Sequence, residues 1–189
     1  MIVQAQPFKG EVLQTYSFIP TASYGVLRRI NQTKEEDILE IGCGTGLLLG
    51  FLAQTYKTNK YTAIDQIQAL VAAAQKRIKN LKLSNVGLFE GDIDYLVRGK
   101  WEIIISSHTL KLESVHGDKF KERVETCNRH LNKRGSLIVI ESYKSKENKI
   151  DEHIEIIESK GFNIEYKMQM ERTEKNNLET YYIEARAKN

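Results

Sequence analysis

ILEIGCGTGLLLGFLA, residues 38–53, begins as a short oily run, meets glycine at positions 42, 44 and 46, and then turns oily again. A buried strand that breaks into a glycine-rich turn and runs straight into a helix presents backbone N–H groups, and the positive end of the helix dipole, to a ligand. Glycine suits such a turn because side chains would block close approach and forbid positive φ. The spacing is not that of the dinucleotide fingerprint, whose third glycine would fall on Leu47. What stands is Glu40, Gly42, Gly44 and Gly46, a carboxylate followed by three alternate glycines. An acid at that point would repel a pyrophosphate in a confined site, so it argues in the same direction as the spacing.

Outward from this stretch, short β-rich runs alternate with stretches of helical spacing. The pattern predicts a doubly wound α/β fold, a mostly parallel seven-stranded sheet with helices on both faces. Strands are expected at 37–41, 60–64, 86–90, 101–106 and 136–141, and the continuous oily character of WEIIIS and SLIVIE suits strands covered on both sides. Ile67, Leu70, Val71, Ala74 and Ile78 share one helical face, as do Phe120, Val124, Cys127 and Leu131. Ile150, Ile154 and Ile157 repeat the spacing, with Gly161 placed to end that helix in a left-handed conformation. FNIEYKMQM and ETYYIEARA, joined by the polar ERTEKNNL, predict an antiparallel C-terminal hairpin closing the sheet edge. Before all of these, a helix is expected from Thr21 to about Asn31, with Val26, Leu27 and Ile30 for packing.

A length of 189 residues predicts one domain, with 1–36 as an N-terminal helical segment, 37–143 as the core, and 144–189 as a helix plus hairpin. No apolar run approaches the roughly 20 residues that cross a bilayer, and MIVQAQPFKG has neither the basic start nor the oily middle of a signal peptide. No membrane partner and a cytoplasmic location are therefore expected. Cys43 and Cys127 form neither a disulfide framework nor a zinc-ligand spacing; both are expected reduced, and no metal is expected. The net charge of +3 is spread along the chain, which permits an anionic partner and predicts none.

Glu40, Gly42, Gly44 and Gly46 resemble the first motif of the class I S-adenosylmethionine-dependent methyltransferases. The resemblance implies S-adenosyl-L-methionine as cofactor, its amino-acid end wrapped by the loop, Cys43 included, and its ammonium held with the help of Glu40. YTAID places Asp65 at the tip of the second strand, where an acceptor takes both ribose hydroxyls, and Gln66 follows it in the cofactor-binding set. An NAD enzyme also places an acid there, and Asp65 could equally cap the helix at 67, so Asp65 indicates a nucleoside without choosing the cofactor. In LFEGDIDYL, the resemblance assigns Asp92 to the adenine amino group and the backbone of Ile93 to a ring nitrogen, with Asp94 as the alternative acid. Ile67, Ile93 or Leu110 could sandwich the ring. WEIIISSHTLKL resembles the family's fourth motif, a buried strand opening into a small-polar-histidine turn above the methyl group, and brings Ser106 into the cofactor-binding set and His108 closest to where the methyl should sit. Two departures stand out: Lys111 occupies a position where many small-molecule relatives carry glutamate, and Lys133-Arg134-Gly135 replaces a Lys-Pro-Gly-Gly turn. The resemblance covers about 37–143, and the hairpin fits the family's reversed last strand.

A sulfonium makes its methyl group electrophilic, so the protein must chiefly hold a nucleophile in line and exclude water. For a hydroxyl or protonated amine acceptor a base is also required, and His108 is the candidate; its other reading is a backbone bond that shapes the loop. His116 is the reserve, His130 and His153 on helices are expected solvated or structural, and Tyr16 and Tyr24 are lid contacts or core packing. The turn after strand four lacks the Asn/Asp-Pro-Pro-aromatic motif of amino-methylating DNA enzymes, and there is no Pro-Cys nucleophile. A small-molecule acceptor, methylated at oxygen or nitrogen, is favoured. A peptide, protein or RNA acceptor and a non-catalytic cofactor-binding subunit are the alternatives, with the oligomeric state open.

Overall fold

The sheet is built outward from its oiliest strand. The structure, a computed structural model, describes residues 25–30, 34–93, 99–110, 117–144, 149–173 and 178–188. The elements run β1 (Asp37–Ile41), α1 (Leu47–Thr55), β2 (Lys60–Asp65), α2 (Gln68–Asn80), β3 (Val86–Glu90), β4 (Trp101–Ser107), α3 (Gly117–His130), β5 (Leu131–Lys144), α4 (Lys149–Ser159), β6 (Phe162–Thr173) and β7 (Leu178–Ala187). They form a seven-stranded sheet in the order β3-β2-β1-β4-β5-β7-β6. β1 pairs in parallel with both β2 and β4, and β5 continues the parallel run from β4. β7 is reversed, antiparallel to β5 on one side and β6 on the other.

Strand order reverses between β1 and β4, and the chain leaves these two neighbours in opposite directions. Parallel sheets open a crevice at such a point, at the carboxyl ends of the strands. The period of two along β1 decides what faces each layer. Leu39 and Ile41 join Ile64, Ile104 and Val139 in an apolar cluster with Phe120 and Val124 of α3 and Ile157 of α4. Ile38 joins Ala63, Ile103 and Ile105 in the opposite cluster with Leu48 and Leu52 of α1. Glu40 alternates with Leu39 and Ile41, so the acid belongs to the α1 layer.

A helical turn at 25–29 packs Val26 and Ile30 into the α1 layer beside Tyr182, whose hydroxyl donates to the Gly25 carbonyl at 3.0 Å. Arg29 Nε donates to Ser136 Oγ at 2.7 Å, and its Nη1 lies 3.3 Å from Glu36 Oε1. Arg28 Nη2 lies 3.3 Å from Glu184 Oε2. Glu36 and Glu184 are both buried. Buried acids are costly alone, so these cations fix where the turn sits against the sheet. On the other layer His153 is fully buried, stacked on Phe120 at 4.3 Å and hydrogen-bonded through Nδ1 to the Tyr143 hydroxyl. That is a structural histidine, and burial, followed by the Lys149 charge, pushes its pKa down to about 4.

Several expectations are corrected in detail. Leu131 opens β5, where it pairs with Trp101, and does not close α3. β5 reaches back past the expected 136 because its ladder skips from Trp101↔Leu131 to Ile103↔Ser136. The expected Lys133-Arg134-Gly135 turn is thereby absorbed as an irregularity, with Arg134 at φ 58°. Ile67 does not share the buried face of α2; it is the residue before the helix and is 56% exposed. Residues 1–24, with Tyr16 and Tyr24, lie outside the described residues, as do Asp94, Lys111 and His116.

Candidate active site

The glycine turn sits at the carboxyl end of β1, clamped to β2 by the Gly42 and Cys43 N–H groups, which donate to the Ile64 carbonyl at 2.8 and 3.1 Å. Its three glycines do three different things. A Cβ on Gly42 would stand 1.9 Å from Thr109 Oγ1 and 2.8 Å from Thr109 Cβ, so its bareness admits the turn after β4. A Cβ on Gly46 would stand 3.1 Å from Ala74 Cβ, so its bareness admits α2. Gly44, at φ 54°, has nothing within 4 Å of where a Cβ would lie. Among the described residues, no packed neighbour accounts for that bareness.

Glu40 is 2% exposed. The Leu49 N–H, in the first turn of α1, supplies one hydrogen bond, and among the described residues Oε2 has no hydrogen-bond partner. Burial, opposed in part by the Leu49 N–H and reinforced by the Asp65 charge, raises its pKa from 4.5 to about 8. A buried acid oxygen beside an open cradle fits a cationic amino group and rejects a phosphate. Burial, with Glu40 and Asp65 next, pushes the Cys43 thiol up to about 12, so it is no nucleophile.

Asp65 is buried at the tip of β2 and accepts two backbone bonds, from Gly44 N–H to Oδ2 and from Ile67 N–H to Oδ1, each 2.9 Å. It thus pins the glycine turn and holds the Ile67 N–H in the turn that leads into α2. Each carboxylate oxygen keeps a second lone pair for a ligand hydroxyl. Beyond β3, Asp92 Oδ2 accepts from Gln66 Nε2 and from Arg123 Nη2 of α3. The Ile93 and Leu110 side chains are fully buried, whereas Ile67 and Phe89 stand out as exposed large hydrophobics. Of the apolar side chains expected to sandwich a ring, Ile67 is the one in contact with solvent.

His108 sits just past β4 at φ 55°, its N–H donating to the Ile140 carbonyl at 2.9 Å. A left-handed conformation costs a residue with a Cβ about 1–2 kcal/mol, and such strain gathers at functional positions. Its Nδ1 lies 3.8 Å from Oε2 of Glu141, a buried acid on β5. Ser106 is fully buried, and among the described residues its hydroxyl has no hydrogen-bond partner. The structure therefore brings Glu40, the glycines, Cys43 and Asp65 together at the β1 and β2 tips, Gln66 and Asp92 beyond them, and Ser106 and His108 on β4 and its turn. Arg123, Glu141 and Thr109 escaped the sequence reading. Glu141 carried a usable signal, since an acid ends the oily run SLIVIE as Glu40 ends its own. Among the described residues there is no cluster of metal-ligating side chains, and no helix is long and apolar enough to cross a membrane.

Comparison with known proteins bears on what this arrangement does. A family model described as methyltransferase domain matches residues 38–135. A malonyl-[acyl-carrier protein] O-methyltransferase of Priestia megaterium is 34% identical over 85 residues, 44% of this chain, which spans about 30% of that relative's length. The N-methyltransferase NodS of Bradyrhizobium japonicum, solved with S-adenosyl-L-homocysteine, superposes with a TM-score of 0.77 at 15% identity, over 99% of this chain and 94% of that one. The [4+2]-cyclase SpnF superposes equally well, 0.77 at 14% identity, over 96% of this chain and 84% of that one. The last two likenesses show the fold alone, on which different chemistries are carried.

Proposed function

The chain belongs to the methyltransferase domain family, and from that premise we propose that it transfers a methyl group from S-adenosyl-L-methionine to an oxygen or nitrogen of a small-molecule acceptor. The observation that carries this reading is the buried Oε2 of Glu40, without a hydrogen-bond partner among the described residues, four positions before the uncrowded Gly44. Glu40 would receive the ammonium, the backbone of 42–46 would enclose the amino-acid end, and Asp65 would accept from the ribose. Asp92 and the Ile93 backbone would read the adenine edge, with Ile67 against the ring. When bound, the sulfonium supplies an electrophilic methyl carbon, so in-line displacement needs no covalent protein intermediate.

His108 takes the acceptor's proton. A carboxylate beside Nδ1 favours the tautomer with hydrogen on that nitrogen, leaving Nε2 as the accepting atom. The Glu141 carboxylate 3.8 Å from Nδ1 supports that reading. Replacing His108 by glutamine is expected to lower kcat/KM by about 10²-fold and to flatten the acid limb of its pH profile. An unchanged limb at a normal rate would leave His108 as a loop-shaping residue.

The small-molecule preference rests on the short connection after β4, which runs from Ser107 to α3 at Gly117. Peptide, protein and RNA acceptors are the alternatives. A cytoplasmic setting suits the two cysteines, both buried and neither in a disulfide. The deciding experiment incubates the protein with methyl-labelled cofactor and a panel of carboxylate, hydroxyl and amine metabolites, a peptide pool and RNA. Label in a small molecule supports the reading; label in peptide or RNA reassigns the acceptor. Cofactor binding with no transfer to any acceptor would point to a non-catalytic binding subunit.

A further inference from the structure

We propose that Arg123 is a positioning residue that makes this cleft selective for a purine bearing an amino group at its six-position. The inference rests on the nucleoside reading of the cleft. Arg123 is 6% exposed and lies on the buried stripe of α3, three residues after Phe120 and four before Cys127, both fully buried. A guanidinium on such a stripe costs desolvation energy unless an acid meets it, and Asp92 does so from beyond β3. Gln66, at the tip of β2, supplies a second donor to the same atom. Three elements that are distant in sequence thus converge on one carboxylate.

The useful detail is which oxygen they share. Arg123 Nη2 and Gln66 Nε2 both donate to Oδ2, which fixes the plane of the carboxylate; on the nucleoside reading, Oδ1 is then the oxygen left to accept from a ligand. Gln66 is fixed in turn, because its amide nitrogen is turned toward Asp92. An amino group on the purine completes the arrangement by donating to Oδ1. A carbonyl at the same position would set acceptor against acceptor, and neither partner could turn to relieve it. Sites built to receive a donor reject analogues lacking it for this reason. Without Arg123 the carboxylate is held by Gln66 alone and can swing aside, and the released amide can offer its N–H to a carbonyl.

The test is calorimetric titration with S-adenosylhomocysteine and with its analogue carrying a carbonyl in place of the purine amino group. The parent protein is expected to prefer the amino ligand by about 30-fold or more. Arg123→Leu is expected to compress that ratio below about fivefold. Arg123→Lys should keep it within about threefold of the parent, because the contact is made through one nitrogen. If Arg123→Leu does not fold, Arg123→Gln takes its place in the same comparison. Equal weakening of both ligands with the ratio intact would make Arg123 a structural residue and overturn the inference. A parent that binds the amino ligand without discrimination overturns it too, while a parent that binds neither ligand overturns the proposed function instead.

Discussion

Raising the pH from 4.5 to about 8 is expected to destabilise the ligand-free fold by about 3–5 kcal/mol through Glu40, and Glu40→Gln is expected to remove that loss. In the unfolded chain this carboxyl ionises near 4.5; in the fold, burial holds its proton until about 8. The folded form therefore binds more protons across the interval. Its stabilising contribution is complete below 4.5 and is lost as the pH rises through about 8. His153 works in the opposite direction at lower pH: its pKa falls from 6.5 to about 4, so its contribution is present above 6.5 and lost as the pH falls toward 4. The difference between parent and variant, measured by denaturant titration at several pH values, isolates Glu40. A variant no more stable than the parent at high pH would mean that water reaches the carboxylate. The same group predicts a ligand effect, since an ammonium on Oε2 favours the ionised acid and its arrival near neutral pH releases a proton. Calorimetry in buffers of different ionisation heat should register that release with the parent and none with Glu40→Gln.

Asp65→Ala is expected to weaken S-adenosylmethionine binding by about 1.5–3 kcal/mol and to cost the fold a further 1–3 kcal/mol. The two losses share one cause. The carboxylate holds the Gly44 N–H on one oxygen and the Ile67 N–H on the other, so its removal unfastens the glycine turn from the β2 tip and loosens the turn that leads into α2. The lost ribose acceptor adds the affinity term. Asp65→Asn keeps one oxygen and should fall between. A dissociation constant unchanged by either substitution would mean that the ribose does not lie over β2.

The order and direction of the strands were legible because each is short, oily and bounded by turn residues, and the acids at positions 40, 65 and 92 mark the tips of β1 and β2 and the turn past β3. Limits were harder. Periodicity assigned Ile67 to the buried face of α2, but spacing does not reveal that the helix begins one residue later and leaves Ile67 outside it. Leu131 kept its burial while changing element, since an apolar residue satisfies a helix end and a strand start equally well. His153 could have been placed: it stands three residues after Ile150 and four before Ile157, on the stripe that is buried. Arg123 could not, because one arginine in KERVETCNR looks like its solvated neighbours until Asp92, thirty-one residues earlier, is brought against it. Local pattern reads faces and ends; it does not read which charge meets which across the sheet.

The division of labour among the glycines also says what decay of this protein would look like. All three positions have positive φ; positions 42 and 46 answer to neighbouring protein atoms as well, whereas no protein atom among the described residues crowds position 44. A lineage that ceased to use a cofactor would stay under steric pressure at the first and third, while the middle one would answer only to the strain of its positive φ. Within one short motif, the scaffold and the ligand have thus been given separate witnesses.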